Sequence, residues 1–174
     1  GFVYSFERRD DFAKIAQKNV KNFFGEMPTN WQVTLGDLQD EVTQLPEASV
    51  DRVVLDMLAP WECIDSIAAV IRPGGVLIAY VATTTQMSRF VEDLRLDKRW
   101  TNPEGQELIQ RPWHLEGLAV RPNHRMQGHT GFLVTARKLA PGTVLPTRRI
   151  RPTKGALDNV AVSRLPESTD QELL

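Results

Sequence analysis

An open α/β sheet, mostly parallel and bordered by antiparallel strands, is the fold this sequence predicts, and three observations predict it. Val50-Asp-Arg-Val-Val-Leu55 and Gly75-Val-Leu-Ile-Ala-Tyr-Val81 are near-continuous apolar runs. Such runs belong to strands buried on both faces, as in parallel sheets. They alternate with amphipathic stretches of helical period. After Pro112 the alternation stops: Trp113–Val120 and Gly131–Arg137 both read as strands, with no helix between them, and are expected to pair antiparallel. Strand-helix alternation ending in such a pair describes a Rossmann-like fold with a terminal antiparallel strand pair.

The elements follow in order. Phe2-Val-Tyr-Ser-Phe6 is the first strand, and Phe12, Ile15, Ala16, Val20 and Phe23 place a helix after it that ends at Gly25. Trp31–Leu35 is the second strand and Val50–Leu55 the third. A helix spans Pro60 to Ile71, and Arg72-Pro-Gly-Gly75 is a turn into the strand Gly75–Val81. The next helix runs from about Thr85 to Lys98, opened by threonine hydroxyls that can cap its first amides. From Pro141 onward the apolar period is lost, and Pro141, Pro146, Pro152 and Pro166 punctuate the chain. The expected organisation is therefore a domain over 1–140 and a Pro- and Arg-containing extension over 141–174.

The 174 residues, 41% hydrophobic and 25% charged, match a globular domain and exclude disordered, collagen-like and disulfide-scaffold classes. No apolar run approaches the roughly 20 residues of a membrane helix, and Gly-Phe-Val-Tyr-Ser-Phe-Glu has no signal-peptide character. Cys63 is the one cysteine, so an internal disulfide and a structural zinc are excluded and a reducing cytoplasm is expected. His114, His124 and His129 are spaced for different strands or loops, so no metal site is expected. The net charge of −1 hides an asymmetry. Residues 1–70 carry 6 Lys/Arg against 12 Asp/Glu, whereas residues 71–154 carry 14 against 6. A basic middle segment of this kind suits a polyanionic partner or a solvated helix face, and charge alone does not separate the two.

In open α/β sheets ligands bind beyond the carboxyl ends of the strands. Glu7 ends the first strand, where a carboxylate can accept from both hydroxyls of a ribose; Asp37 follows Leu35-Gly36; Asp56 follows Val53-Val54-Leu55; Tyr80 lies near the end of the next strand. A nucleotide-binding sheet also needs a glycine-rich first turn about 20 residues before its ribose-binding acid. Only six residues precede Glu7, so an earlier strand of the fold and that glycine loop are expected upstream of Gly1.

Val3-Tyr-Ser-Phe-Glu7 with Phe12, Gly36-Asp37-Leu38, Asp56-Met-Leu-Ala-Pro-Trp61, Tyr80 with Thr85-Gln86, and Gly128-His-Thr-Gly-Phe-Leu133 together resemble the tRNA (adenine-58-N1)-methyltransferase family, most of all its actinobacterial members. The likeness runs to about Pro141. It implies a class I methyltransferase fold, S-adenosylmethionine as cofactor, tRNA as partner and a homotetramer. By that resemblance Glu7 holds the cofactor ribose, Asp37 and the Leu38 amide read its adenine, and Phe12 lies against the ring. Asp56, which borders the cofactor, and Tyr80, which lines the same pocket against the substrate, are the catalytic residues. Gln86, Arg121 and His129 face the RNA. Arg125, Arg137 and the Arg148-Arg149-x-Arg151 cluster are further phosphate candidates. A methyltransferase for another RNA atom or a small molecule, and a tRNA-binding subunit without catalysis, are the alternatives. The spacing of Pro60-Trp61 from Asp56 argues against the exocyclic-amine class, and retention of Glu7, Asp37 and Asp56 favours catalysis. A dehydrogenase fits poorly, because the sequence offers no acid/base pair on a nicotinamide side.

Overall fold

Parallel pairing requires a crossover long enough to return the chain to the same end of the sheet, and the first 35 residues supply one. β1 (Val3–Glu7) runs into α1 (Asp10–Phe24), which returns the chain to β2 (Trp31–Leu35), parallel to β1 with Glu7 facing Leu35. α1 carries Asp10 and Asp11 in its first turn, where acids complement the helix dipole. It stops at Gly25, whose φ of 83° suits a left-handed cap that favours glycine. The computed structural model describes residues 1–146. The Arg148 cluster and nearly all of the expected extension lie outside the described residues.

A short helix, α2 (Leu38–Glu41), continues as a 3-10 turn over Val42–Gln44 and leads to β3 (Val50–Asp56). A second 3-10 turn, Pro60–Cys63, enters α3 (Ile64–Val70) and then β4 (Ile71–Val81), parallel to β3. α4 (Thr84–Asp97) opens with a capping box: the Thr83 hydroxyl accepts from the Gln86 N–H at 3.2 Å, and Gln86 Oε1 accepts from the Thr83 N–H at 3.1 Å. β5 (Glu104–Gln106), β6 (Trp113–Glu116), β7 (Ala119–Pro122) and β8 (Phe132–Arg137) complete the described elements. The larger sheet has the order β3-β4-β8-β5, with β8 antiparallel to both neighbours.

Two expectations are corrected. Gly131–Arg137 does not pair with Trp113–Val120; β8 inserts between β4 and β5 instead. Gly117, at φ 51°, turns Trp113–Glu116 back onto Ala119–Pro122, so the single run seen in the sequence is a hairpin of its own. β8 alternates buried Val134 and Ala136 with less buried neighbours, and that period suits a place in the main sheet. Arg72-Pro-Gly-Gly75 is not a turn ahead of a strand but a bulge inside β4. Between Val50↔Ile71 and Arg52↔Val76 the ladder advances two residues on β3 and five on β4. Gly74, at φ 78°, allows the kink, and its N–H donates to the Lys138 carbonyl at 2.8 Å.

The core lies on one face of the larger sheet. Leu55, Leu77, Ala79, Val134 and Ala136 pack with Ile64, Ile67 and Ala68 of α3, Phe90 and Leu94 of α4, and Trp100. Full burial of side chains this size stabilises by roughly 1.5–3 kcal/mol each. That packing fixes β3 and β4 as the rigid support for whatever their carboxyl ends carry.

Candidate active site

Asp56 is the last residue of β3, and its ladder partner on β4 is Tyr80. Paired residues in a sheet project from the same face, so the carboxylate and the phenol stand side by side where the strands end. Asp56 is exposed and enters no hydrogen bond or ion pair with the described residues, which leaves all of its acceptor capacity for a ligand. Tyr80 is committed differently. Its hydroxyl donates to the Thr130 carbonyl at 2.6 Å, and its ring lies where a Cβ on Gly131 would come within 2.4 Å. Glycine at 131 is therefore a steric requirement, and Tyr80 anchors the 130–131 segment as well as lining the site.

His129 precedes that segment. Its Nδ1 lies 2.5 Å from Glu107 Oε1 and its Nε2 2.9 Å from the Ala82 carbonyl, with the ring tilted against Phe132 at 4.7 Å between centroids. The hydrogen bond with Glu107, and next the Ala82 carbonyl, raise its pKa above the usual imidazole value. His129 thus borders the site with both ring nitrogens engaged, a role distinct from the RNA contact expected of it.

Gln86 is likewise occupied. Oε1 completes the capping box of α4, and Nε2 donates to the Leu58 carbonyl at 3.0 Å. It holds the Asp56–Trp61 loop in place. Arg89 helps from the next turn of α4, its guanidinium 4.0 Å over the Trp61 ring. Pro60 is buried, Met57 Sδ lies 3.8 Å from Cys63 Sγ, and Leu58 projects outward from the loop. Burial, then the charges of Glu62 and Asp37, push the Cys63 thiol up, which marks it as a packing residue and places Asp37 electrically close to this turn.

The other acids gather at the ends of β1 and β2. Glu7 Oε1 accepts from the Arg9 N–H at 2.9 Å, leaving Oε2 without a partner among the described residues. The Gly36 N–H donates to the Glu7 carbonyl at 2.9 Å, which sets Asp37 beside the end of β1. Asp37 Oδ1 lies 2.7 Å from Arg8 Nε. Leu38 packs against the main core and so fixes the start of α2. Phe12 is 45% exposed, with the Arg9 guanidinium 4.0 Å over its ring. Two carboxylates with free oxygens and an exposed aromatic form an acceptor and stacking set suited to a nucleoside.

Arg121 stands on β7 opposite His114, and no hydrogen bond or ion pair joins it to Asp56, Tyr80 or Glu7 among the described residues. Arg125 is exposed, and Arg137 donates through Nη1 to the Gly74 carbonyl at 3.0 Å. Among the described residues no group of three or more His, Cys, Asp or Glu could hold a metal ion, and no helix is long and apolar enough to cross a membrane. Sequence reasoning missed Glu107, Arg8 and Arg89. A lone charge carries no positional signal, and only the three-dimensional fold shows which ring or acid it meets.

The chain is similar to proteins already characterised. The tRNA (adenine(58)-N(1))-methyltransferase TrmI of Thermus thermophilus is 30% identical over 143 residues, covering 79% of this chain and 52% of its own. The chain is similar to the tRNA (adenine-58-N1)-methyltransferase family. A further relative, the tRNA (adenine(57)-N(1)/adenine(58)-N(1))-methyltransferase TrmI of Methanocaldococcus jannaschii, is 27% identical over 158 residues, with 79% of this chain and 56% of that protein covered. The solved tRNA (m1A58) methyltransferase TrmI of Aquifex aeolicus superposes with a TM-score of 0.71 at 27% identity, over 80% of this chain and 54% of that one. A SAM-dependent O-methyltransferase of Thermotoga maritima gives 0.70 at 26% identity, over 87% and 52%. The fold is that of class I methyltransferases. No protein-family model matches the chain. The chain spans about half the length of the curated relatives it matches.

Proposed function

We propose that the intact protein transfers a methyl group from S-adenosylmethionine to N1 of adenine 58 in the T-loop of tRNA. The observation that carries this reading is the unspent Asp56 carboxylate beside Tyr80, at the carboxyl end of the β3–β4 ladder, in a chain similar to this family. The residues fit the cofactor: Glu7 Oε2 is available to ribose hydroxyls and Asp37 to an adenine amino group, Leu38 follows Asp37 in the chain, and the exposed Phe12 ring lies in the first turn of α1. When bound, S-adenosylmethionine supplies a methyl group on a positively charged sulfur.

Adenine N1 already bears a lone pair, which forms the new N–C bond as the bond from carbon to sulfur breaks. No proton has to leave N1 first, so orientation matters more than a general base. Asp56 accepts from the N6 amino group, holds the base in line and offsets the positive charge that develops on the ring. A base stacked in a folded loop reaches this pocket only after extrusion, and Tyr80 lines the space that receives it.

The test is methyl transfer by the intact protein to unmodified tRNA. Asp56→Ala should lower turnover by about 10²–10³, the scale of one preorganised electrostatic contact. Glu7→Ala should raise the KM for the cofactor more than it lowers kcat, because a remote ribose is held alike in ground and transition states. Near-normal turnover by Asp56→Ala would remove the central residue of this mechanism. Tight tRNA binding without any methylation by the unaltered protein would favour the subunit that binds without catalysis.

A further inference from the structure

The chain leaves the larger sheet at Gln106, the end of β5, and re-enters it at Phe132, the start of β8. Those ends are ladder neighbours, Gln106 facing Leu133, so residues 107–131 form an excursion with a narrow neck. The β6–β7 hairpin, with Arg121, lies within it. His129 closes the neck. One ring nitrogen meets Glu107, the first residue out, and the other meets the Ala82 carbonyl, two residues beyond Tyr80. The next residue, Thr130, receives the Tyr80 hydroxyl, and Gly131 packs on the Tyr80 ring.

Both partners of the imidazole, a carboxylate and a carbonyl, accept hydrogen bonds and donate none. A neutral imidazole has one N–H and can satisfy only one of them; an imidazolium satisfies both. We propose that His129, as an imidazolium bridging Glu107 and the Ala82 carbonyl, is a positioning residue that holds the excursion 107–131 against the Asp56–Tyr80 site for an RNA substrate. The RNA part of this role rests on the function proposed above; the bridge itself does not.

The surroundings set the sign of its pH dependence. From the segment after β5 the facing group is the Glu107 carboxylate; from the turn after β4 it is a carbonyl; from β8 it is the uncharged Phe132 ring. The nearby Tyr80 hydroxyl is engaged with Thr130. Because the folded-state pKa of His129 is raised, its contribution is fully present below the ordinary imidazole value of about 6.5 and is lost as pH rises through the higher folded value.

Nitrogen-15 NMR of the His129 ring in the chain is the first measurement, and both nitrogens should carry protons at neutral pH. A single neutral tautomer there would overturn the bridge. The second is affinity of the intact protein for unmodified tRNA across a pH series. The Kd should rise about fivefold as His129 deprotonates, the effect of one hydrogen bond, while cofactor affinity stays level. Glu107→Gln should move that rise to lower pH, which a merely structural histidine would not do. A flat tRNA affinity, or a rise indifferent to Glu107→Gln, would overturn the positioning role. Absence of methyl transfer alongside a pH-dependent tRNA affinity would defeat the proposed reaction and leave this role standing.

Discussion

The larger sheet and the excursion at residues 107–131 are built on opposite terms. In the sheet, Leu77, Ala79 and Val134 are wholly buried, as are Phe90 and Leu94 of α4 in the same core, and dense apolar contact holds β3 and β4 in place. In the excursion, Leu108, Trp113, Leu115, Leu118 and Val120 are exposed, and between Glu107 and Thr130 only His114 and Pro122 are even partly buried. Its attachment at the neck is polar: Glu107, His129 and the Tyr80 hydroxyl. The difference separates two tasks. Asp56 and Tyr80, which we propose meet the substrate, sit at the ends of packed strands, where non-directional burial leaves little freedom. Groups suited to a large polyanion are carried on a segment secured by a few directional bonds, whose strength follows pH and can be changed one at a time.

The strongest way to break the comparison is to open the sheet's core. Phe90→Ala should cost about 3–5 kcal/mol, since Phe90 is fully buried on the inner face of α4, and denaturant unfolding would measure it. A loss under 1 kcal/mol would mean that the core is not the rigid half. A smaller effect is expected at the seam between the regions. Gly131→Ala forces a Cβ toward the Tyr80 ring and should cost about 1–3 kcal/mol, a loss that Tyr80→Ala in the same chain should largely relieve. Additive losses in the double variant would show that the two residues do not press on one another. Smaller again is Thr83→Ala, which removes the hydroxyl of the capping box and should lower stability by about 1 kcal/mol. The smallest belongs to the hairpin tip, where Leu118→Ser should change stability by no more than about 0.5 kcal/mol because Leu118 is fully exposed. A large loss there would reveal packing on the excursion that exposure denies.

Much of this was legible before any fold was known, and the reason is local. β1, α1, β2, β3 and α4 follow from apolar period, a glycine stop and threonine caps, each a property of a few neighbouring residues. Glu7, Asp37, Asp56 and Tyr80 were placed at strand ends because a strand's end can be read from its run. The partner of β8, the hairpin turning at Gly117 and the bulge at Arg72–Gly75 could not be read so, because strand pairing is a long-range choice among several edges. Period and composition constrain each strand's faces but not its neighbour. The duties of Gln86, Tyr80 and His129 were decided the same way. The sequence alone determined that these side chains carry amide, phenol and imidazole near the strand ends. Only the tertiary structure brought Leu58, Thr130, Glu107 and Ala82 within hydrogen-bond reach of them, and a polar group's role depends on which partner lies about 3 Å away.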